Sequence, residues 1–283
     1  MQIITEPRQM QAIAEKLRLN RQLIGVVMTM GALHEGHLSL IKLARQSAGT
    51  VMLTIFVNPS QFGLNEDLHQ YPRPFEQDVA LAKAAGVDYL FAPEAGSMYP
   101  VNHQITVECG ALGQRLEGER RPGHFNGVAT VVSKLFHITK PHIAIFGEKD
   151  AQQLAVIRKI VEDFNLDINI VAAPIVREEN GLAVSSRNIY LSSQERSAAA
   201  VLYQGICHAE TCITSKKRDL SAIAAEIEQM IASTPGCRPD YVAFVDEERF
   251  ELAETAEEGK EYRLLLAACF GAVRLIDNCK IRA

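Results

Sequence analysis

The sequence predicts an α/β fold: a doubly wound parallel sheet followed by a smaller α+β unit. Three observations predict it. Short apolar runs of strand length recur through the first 175 residues, each followed by a stretch with helical spacing. These runs are apolar at consecutive positions rather than alternating, as in strands covered on both faces. After Pro174 the order changes to two helices and then three strands, the grouping of an α+β unit. The boundaries read from this change are 1–175 and 176–283.

Each element has its own signal. Residues 23–28 (LIGVVM) form the first continuous apolar run. Leu38, Ile41, Ala44 and Ala48 follow at helical spacing, and residues 50–57 (TVMLTIFV) are β-branched and stop at Asn58-Pro59. That is one βαβ unit, whose strands are expected to be parallel with a right-handed crossover. Residues 77–85 read as helix closed by Gly86, and residues 89–92 as a short strand. Residues 128–138 read as an apolar helix and 143–146 (IAIF) as a buried strand. Leu154, Ile157, Val161 and Phe164 give the next helical face, and residues 168–172 the next strand. The whole is Rossmann-like, with ligands expected past the C-terminal strand ends. Beyond a polar, turn-rich stretch at 177–188 (REENGLAVSSRN), helices are expected over 194–214 and 220–232. Strands are expected over 241–245, 262–270 and 273–276, the last two antiparallel about Gly271.

Composition narrows the function. The chain has 283 residues, 47% of them hydrophobic, enough for a substantial core. Its formal net charge of -5 argues against broad nucleic-acid binding, which needs clustered Lys and Arg. The opening MQIITEPRQM lacks the basic-then-apolar order of a signal peptide. No apolar run approaches the roughly 18 residues of a membrane span. The six cysteines form no C-x-x-C pair, so reduced thiols and a cytoplasmic location are expected.

Four clusters carry candidate chemistry. The first is residues 28–37 (MTMGALHEGH), between the first strand of the βαβ unit and its helix. Gly31 and Gly36 permit close backbone approach, and a helix N-terminus offers N–H groups and partial positive charge to phosphate. His34 and His37 share one side of that helix start and could donate to oxygens gaining charge. A pair of ordinary turn histidines, and a zinc site built on His-x-x-His, are the rival readings. The second is Gly147, Glu148, Lys149 and Asp150, after the strand at 143–146, where Lys149 offers a cation and Asp150 could instead cap a helix. The third is Ser185, Ser186 and Arg187 in the polar connector, able to grip a triphosphate or to be a plain linker. The fourth is residues 56–62 (FVNPSQF), where Gln61 has the donor and acceptor a hydroxy acid needs.

In this order the clusters resemble the pantoate–β-alanine ligase family. The resemblance runs over nearly the whole chain through TMGALHEGH, FVNPSQF, YPR, RPGHFNGV, IFGEKDAQQL, GLAVSSRN and VRLIDN. It implies that ATP and pantoate form pantoyl adenylate and pyrophosphate, and that β-alanine then releases AMP. It implies an H-x-G-H nucleotidyltransferase-type ATP site of Met30, Gly31, Ala32, Leu33, His34, Glu35, Gly36 and His37, with His37 as proton donor. Gly147, Glu148, Lys149, Asp150, Val176, Val184, Ser185, Ser186 and Arg187 complete the implied ATP contacts. The catalytic set so implied is His37, His34, Lys149 and Arg187. Gln61 and Gln153 are implied to hold pantoate, and Gln61 also β-alanine. Asp78 is implied near Mg2+, which is carried mainly by the ATP phosphates. A homodimer and a C-terminal lid are implied as well. The chain departs from the family pattern at Met28, Ser60, Val184 and His142. Two other readings remain at this stage. One is an adenylyltransferase moving AMP onto a phosphate; the other is a nucleotide-binding regulator without catalysis.

Overall fold

A computed structural model describes residues 1–63 and 66–283. The chain divides into two compact units, one of residues 1–148 and 152–174, the other of 149–151 and 175–283. Among the described residues, no helix is long and apolar enough to cross a membrane.

The first unit is built on six parallel strands. They are β1 (Gln2–Ile4), β2 (Ile24–Thr29), β3 (Thr50–Ile55), β4 (Tyr89–Phe91), β5 (Ile143–Gly147) and β6 (Asn169–Ala173), in spatial order β1-β4-β3-β2-β5-β6. Helices α1 (Pro7–Leu19), α2 (Glu35–Ser47), α3 (Phe75–Ala84), α4 (Ala95–Met98), α5 (Glu117–Arg120), α6 (His124–Thr139) and α7 (Ala151–Asp163) accompany them. Successive strand residues feed opposite layers. Val26, Met52 and Ala144 pack with Val128 and Leu135 of α6, while Val27, Leu53 and Ile145 pack with Leu40 and Ile41 of α2. This two-sided burial is why the strands lack polar alternation. The sheet grows from β2 toward β3 on one side and toward β5 on the other. Such a switch point opens a crevice beyond the strand ends, where ligands bind in open α/β sheets.

Strand β1, helix α1 and the four-residue helices α4 and α5 escaped the sequence reading. Strand β1 has three residues, too few to show a period, and exists because β4 pairs with it. Helix α1 did carry a signal: Pro7 opens it, and Met10 and Ala14 are fully buried.

The second unit packs helices on an antiparallel sheet. Helices α8 (Ser193–Ala198), α9 (Val201–Thr214) and α10 (Leu220–Ala232) accompany β7 (Cys237–Asp246), β8 (Glu261–Phe270) and β9 (Val273–Arg282), ordered β7-β8-β9. Ile206, Ile223, Ile227 and Ile231 pack on Leu264, Leu266 and Phe270. The single helix expected over 194–214 is two helices, broken at Ala199 and Ala200, both buried. No Gly or Pro marks that break. Ser192 and Glu195 form the capping box that starts α8. Strand β9 runs six residues past the expected end, because Asp277 and Asn278 are buried with partners rather than left at a polar terminus. Arg177 grips Asp277 at 2.6 and 3.0 Å, and Arg263 donates to Asn278 Oδ1 at 2.7 Å.

Candidate active site

The turn between β2 and α2 is held by strand-end contacts. Thr29 Oγ1 donates to the Thr54 carbonyl at 2.8 Å and accepts from the Gly31 N–H at 3.2 Å. Gly31 sits at φ 86°, and a Cβ there would meet Asp78 Oδ2 at 2.9 Å and Ile55 Cγ2 at 3.1 Å. Ala32 follows at φ 50°, a conformation costly for a residue with a Cβ. Asp78 on α3 holds the chain there. Its oxygens accept the N–H groups of Ala32 at 2.9 Å and Leu33 at 2.7 Å. The carboxylate is 1% exposed, and burial raises its pKa against the pull of those two N–H bonds. Asp78, expected near magnesium, gives each of its oxygens one N–H bond from the loop backbone.

His34 is the N-cap of α2, and His37 lies in its first turn. Their rings stack with centroids 4.0 Å apart and planes inclined by 23°. A Cβ on Gly36 would come within 2.9 Å of the His34 ring. Glycine is thus what lets His34 fold over the helix start. Glu35 occupies the first turn as well. The two histidines lie at the start of the helix that follows β2, and a helix N-terminus suits a polyphosphate.

Gln61 is carried by a 3₁₀ turn, Pro59–Gln61, after β3. Its Nε2 donates to Met30 Sδ at 3.3 Å, so the fourth cluster touches the first. Asn58 holds the turn, donating to Gln61 Oε1 at 3.0 Å and to the Gly127 carbonyl at 3.2 Å. Tyr99 donates to Asn58 Oδ1 at 2.8 Å, and Ser60 Oγ donates to the same oxygen at 2.9 Å. Ser60 therefore has a polar job in this chain. Helix α6 backs the turn closely. A Cβ on Gly127 would lie 2.2 Å from the Ser60 carbonyl oxygen and 2.7 Å from Gln61 Cα.

His124, at the start of α6, is a site residue that motif reading left without a role. Its Nδ1 donates to the Gln61 carbonyl at 2.8 Å, and its Nε2 accepts from Arg121 Nη1 at 3.1 Å. Arg121 in turn pairs with both oxygens of Glu66 at 2.8 and 2.6 Å. Burial, then the adjacent guanidinium, push the His124 pKa down to about 4. The ring is neutral at pH 7, as its donor–acceptor pairing requires. The RPGH string was the available signal, but nothing in it says that the histidine meets Gln61.

Neighbouring glutamines on α7 do different things. Gln152 is buried and ties the loop before α5, accepting from the Glu117 N–H and donating to Leu112 and Arg115 carbonyls. Gln153 is only half-buried. His142 also gains an account: its Nδ1 accepts from the Ile24 N–H at 3.1 Å, pinning the start of β2. An aspartate could accept the same bond. Desolvation, then Arg18, lower the His142 pKa and favour that acceptor form.

In the second unit, Lys149 lies in the 3₁₀ turn Glu148–Asp150, with its Nζ 3.7 Å from Asp150 Oδ1. Its carbonyl accepts from Asn278 Nδ2 at 2.9 Å. The closing VRLIDN string thus fixes the backbone that carries Lys149. Val176 and Val184 come together, the Val184 N–H donating to the Val176 carbonyl at 2.9 Å. Ser185 caps the 3₁₀ helix Ser186–Tyr190 by accepting from the Arg187 N–H at 3.3 Å. Ser185, Ser186 and Arg187 therefore sit on a capped turn and not on a plain linker.

A parallel sheet with stacked histidines at a glycine-bearing turn on its switch point defines a nucleotide-handling α/β enzyme class. Comparison with known proteins narrows this. The sequence profile described as Pantoate-beta-alanine ligase matches residues 2–280. The chain belongs to the pantoate–β-alanine ligase family. It is 84% identical over 283 residues to pantothenate synthetase of Pelodictyon phaeoclathratiforme, covering 100% of both chains. It is 70% identical over 278 residues to that of Chlorobium limicola, covering 98% of each. The crystal structure of pantothenate synthetase from Thermus thermophilus is similar with a TM-score of 0.91 at 41% identity, covering 99% of each chain. That of the Francisella tularensis ligase, complexed with beta-gamma ATP and β-alanine, gives 0.81 at 35% identity, covering 99% of this chain and 97% of that one.

Proposed function

We propose that this enzyme adenylates pantoate with ATP and transfers the pantoyl group to β-alanine. A pantoate carboxylate oxygen attacks the α-phosphorus, the bond to the bridging oxygen breaks, and pyrophosphate leaves. The β-alanine amine then attacks the acyl carbon. The acyl–phosphate bond breaks, AMP leaves, and the amine gives up its proton to yield pantothenate. The observation that carries this reading is the Gln61–Met30 contact, which joins an amide suited to a hydroxy acid to the turn suited to phosphate.

The charge problem sets the residue roles. An anionic carboxylate must approach an anionic phosphate, so the donors have to act where charge develops. The α2 N-terminus, His34 and His37 take that part, with His37 donating to the phosphoryl oxygens. Met30, Gly31, Ala32, Leu33, Glu35 and Gly36 shape the turn around the nucleotide. Gly147, Glu148, Lys149, Asp150 and the loop of Val184, Ser185, Ser186 and Arg187 supply further phosphate contacts, and Val176 lines the adenine side. Gln61 and Gln153 hold pantoate, and Gln61 also receives β-alanine. Magnesium enters as Mg·ATP, the substrate complex, while the Asp78 oxygens accept the Ala32 and Leu33 N–H groups. Asp78 is then a positioning residue. The second unit serves as a lid that keeps water from the acyl adenylate. The active form is a cytoplasmic homodimer, and exposed Val101 and Ile105 of the first unit are apolar side chains a second copy would cover.

The test is an assay with pantoate, β-alanine and Mg·ATP that follows pyrophosphate, AMP and pantothenate together. Pyrophosphate release should require pantoate, and AMP should appear with β-alanine in equal amount to pantothenate. Pyrophosphate released with a phosphorylated acceptor, and none with pantoate, would establish an adenylyltransferase instead.

A further inference from the structure

We infer that helices α9 and α10 carry a zinc site formed by His208, Cys212 and Glu226. His208 and Cys212 are four residues apart on α9, so they project from one face. Glu226 reaches the same point from α10. His208 Nε2 lies 2.8 Å from Glu226 Oε2 and 3.5 Å from Cys212 Sγ. All three ligand atoms fall within 4.8 Å of one another. Tetrahedral zinc with bonds of about 2.0 Å to N and O and 2.3 Å to S sets S···N near 3.6 Å and N···O near 3.3 Å. The His208–Glu226 and His208–Cys212 separations need sub-ångström adjustment to match.

One ring nitrogen faces both a carboxylate and a thiol sulfur, so three groups of metal-ligating type converge on one point. A divalent ion at the centre gives all three atoms a partner at once. The donor set decides which ion. Thiolate and imidazole with one carboxylate suit zinc, whereas magnesium and calcium take oxygen donors. Lys217 holds the other oxygen, Glu226 Oε1, so it stays as an outer partner of a ligating carboxylate. His208 and Glu226 side chains are 34% and 44% exposed, which leaves an entry path and room for water as fourth ligand. Binding would release the Cys212 thiol proton, since the thiolate is the ligand. None of these residues belongs to the ATP, pantoate or β-alanine contacts, so the site is separate from the ligase chemistry.

The test uses the full-length enzyme with cobalt as spectroscopic probe and zinc by calorimetry. The expected result is one ion per chain with micromolar affinity and a thiolate-to-cobalt absorption band. Cys212→Ser and His208→Ala should each abolish the band and weaken zinc by at least about tenfold. Cys207→Ser, an exposed thiol on the same helix, and His37→Ala should keep both. Zinc should also slow alkylation of Cys212 and leave Cys207 untouched, a readout that needs no variant. No cobalt band at equimolar ion, the same band in Cys212→Ser, or equal alkylation of Cys207 and Cys212 with zinc would each overturn the site.

Discussion

Lowering the pH tests the His124 contact directly. The folded pKa is about 4 against an ordinary 6.5, so below pH 6.5 the unfolded chain binds the extra proton. Stability from this residue is complete above about pH 6.5 and is lost as the pH falls toward 4. Between pH 7 and pH 5 linkage gives a loss of about 2 kcal/mol, since each pKa unit is worth about 1.4 kcal/mol. His124→Gln removes the titration while keeping a donor for the Gln61 carbonyl and an acceptor for Arg121. Urea denaturation of both proteins at pH 7 and pH 5 should show the wild type losing about 2 kcal/mol more than the variant. The His124 ring resonance, assigned by its absence in the variant, should titrate near pH 4. Equal losses in the two proteins, or a midpoint at pH 6 or above, would refute a neutral His124 locked between Arg121 and Gln61.

Three further outcomes are expected. Gly127→Ala places a Cβ against the Ser60 and Gln61 backbone, so it should cost about 1–3 kcal/mol and raise KM for pantoate, while Gly96→Ala, with open space around it, should do neither. Thermal melting and pantoate titration of both variants check this. Asp78→Asn replaces an acceptor facing a backbone N–H with a donor, so stability should fall by about 1–3 kcal/mol together with turnover. A loss of turnover at unchanged Tm would instead give Asp78 a role toward the metal–nucleotide complex. His37→Ala should lower turnover by about 10²–10³ with the fold intact, the scale of one lost oxyanion-type donor. Near-normal turnover would remove His37 from the chemistry.

The sequence by itself determined the strand–helix alternation of the first unit, because burial on both faces leaves continuous apolar runs that composition alone reveals. It also determined where the glycine-bearing turn between β2 and α2 lies. Gly31 and Gly36 mark positions where a Cβ would collide, and such positions are written in residue identity. Tertiary structure decided what those local signals cannot encode. Asp78 shows no sign in the local sequence of its partners Ala32 and Leu33, which lie 45 or more positions away in the chain. His124 meets Gln61 across 63 positions, and Asn278 meets Lys149 across 129. The break between α8 and α9 falls in a run of alanines whose own preference is helical. The physical reason is common to all of them. A residue's local propensity depends on its neighbours in sequence, whereas a buried polar group is defined by the partner that packing delivers to it.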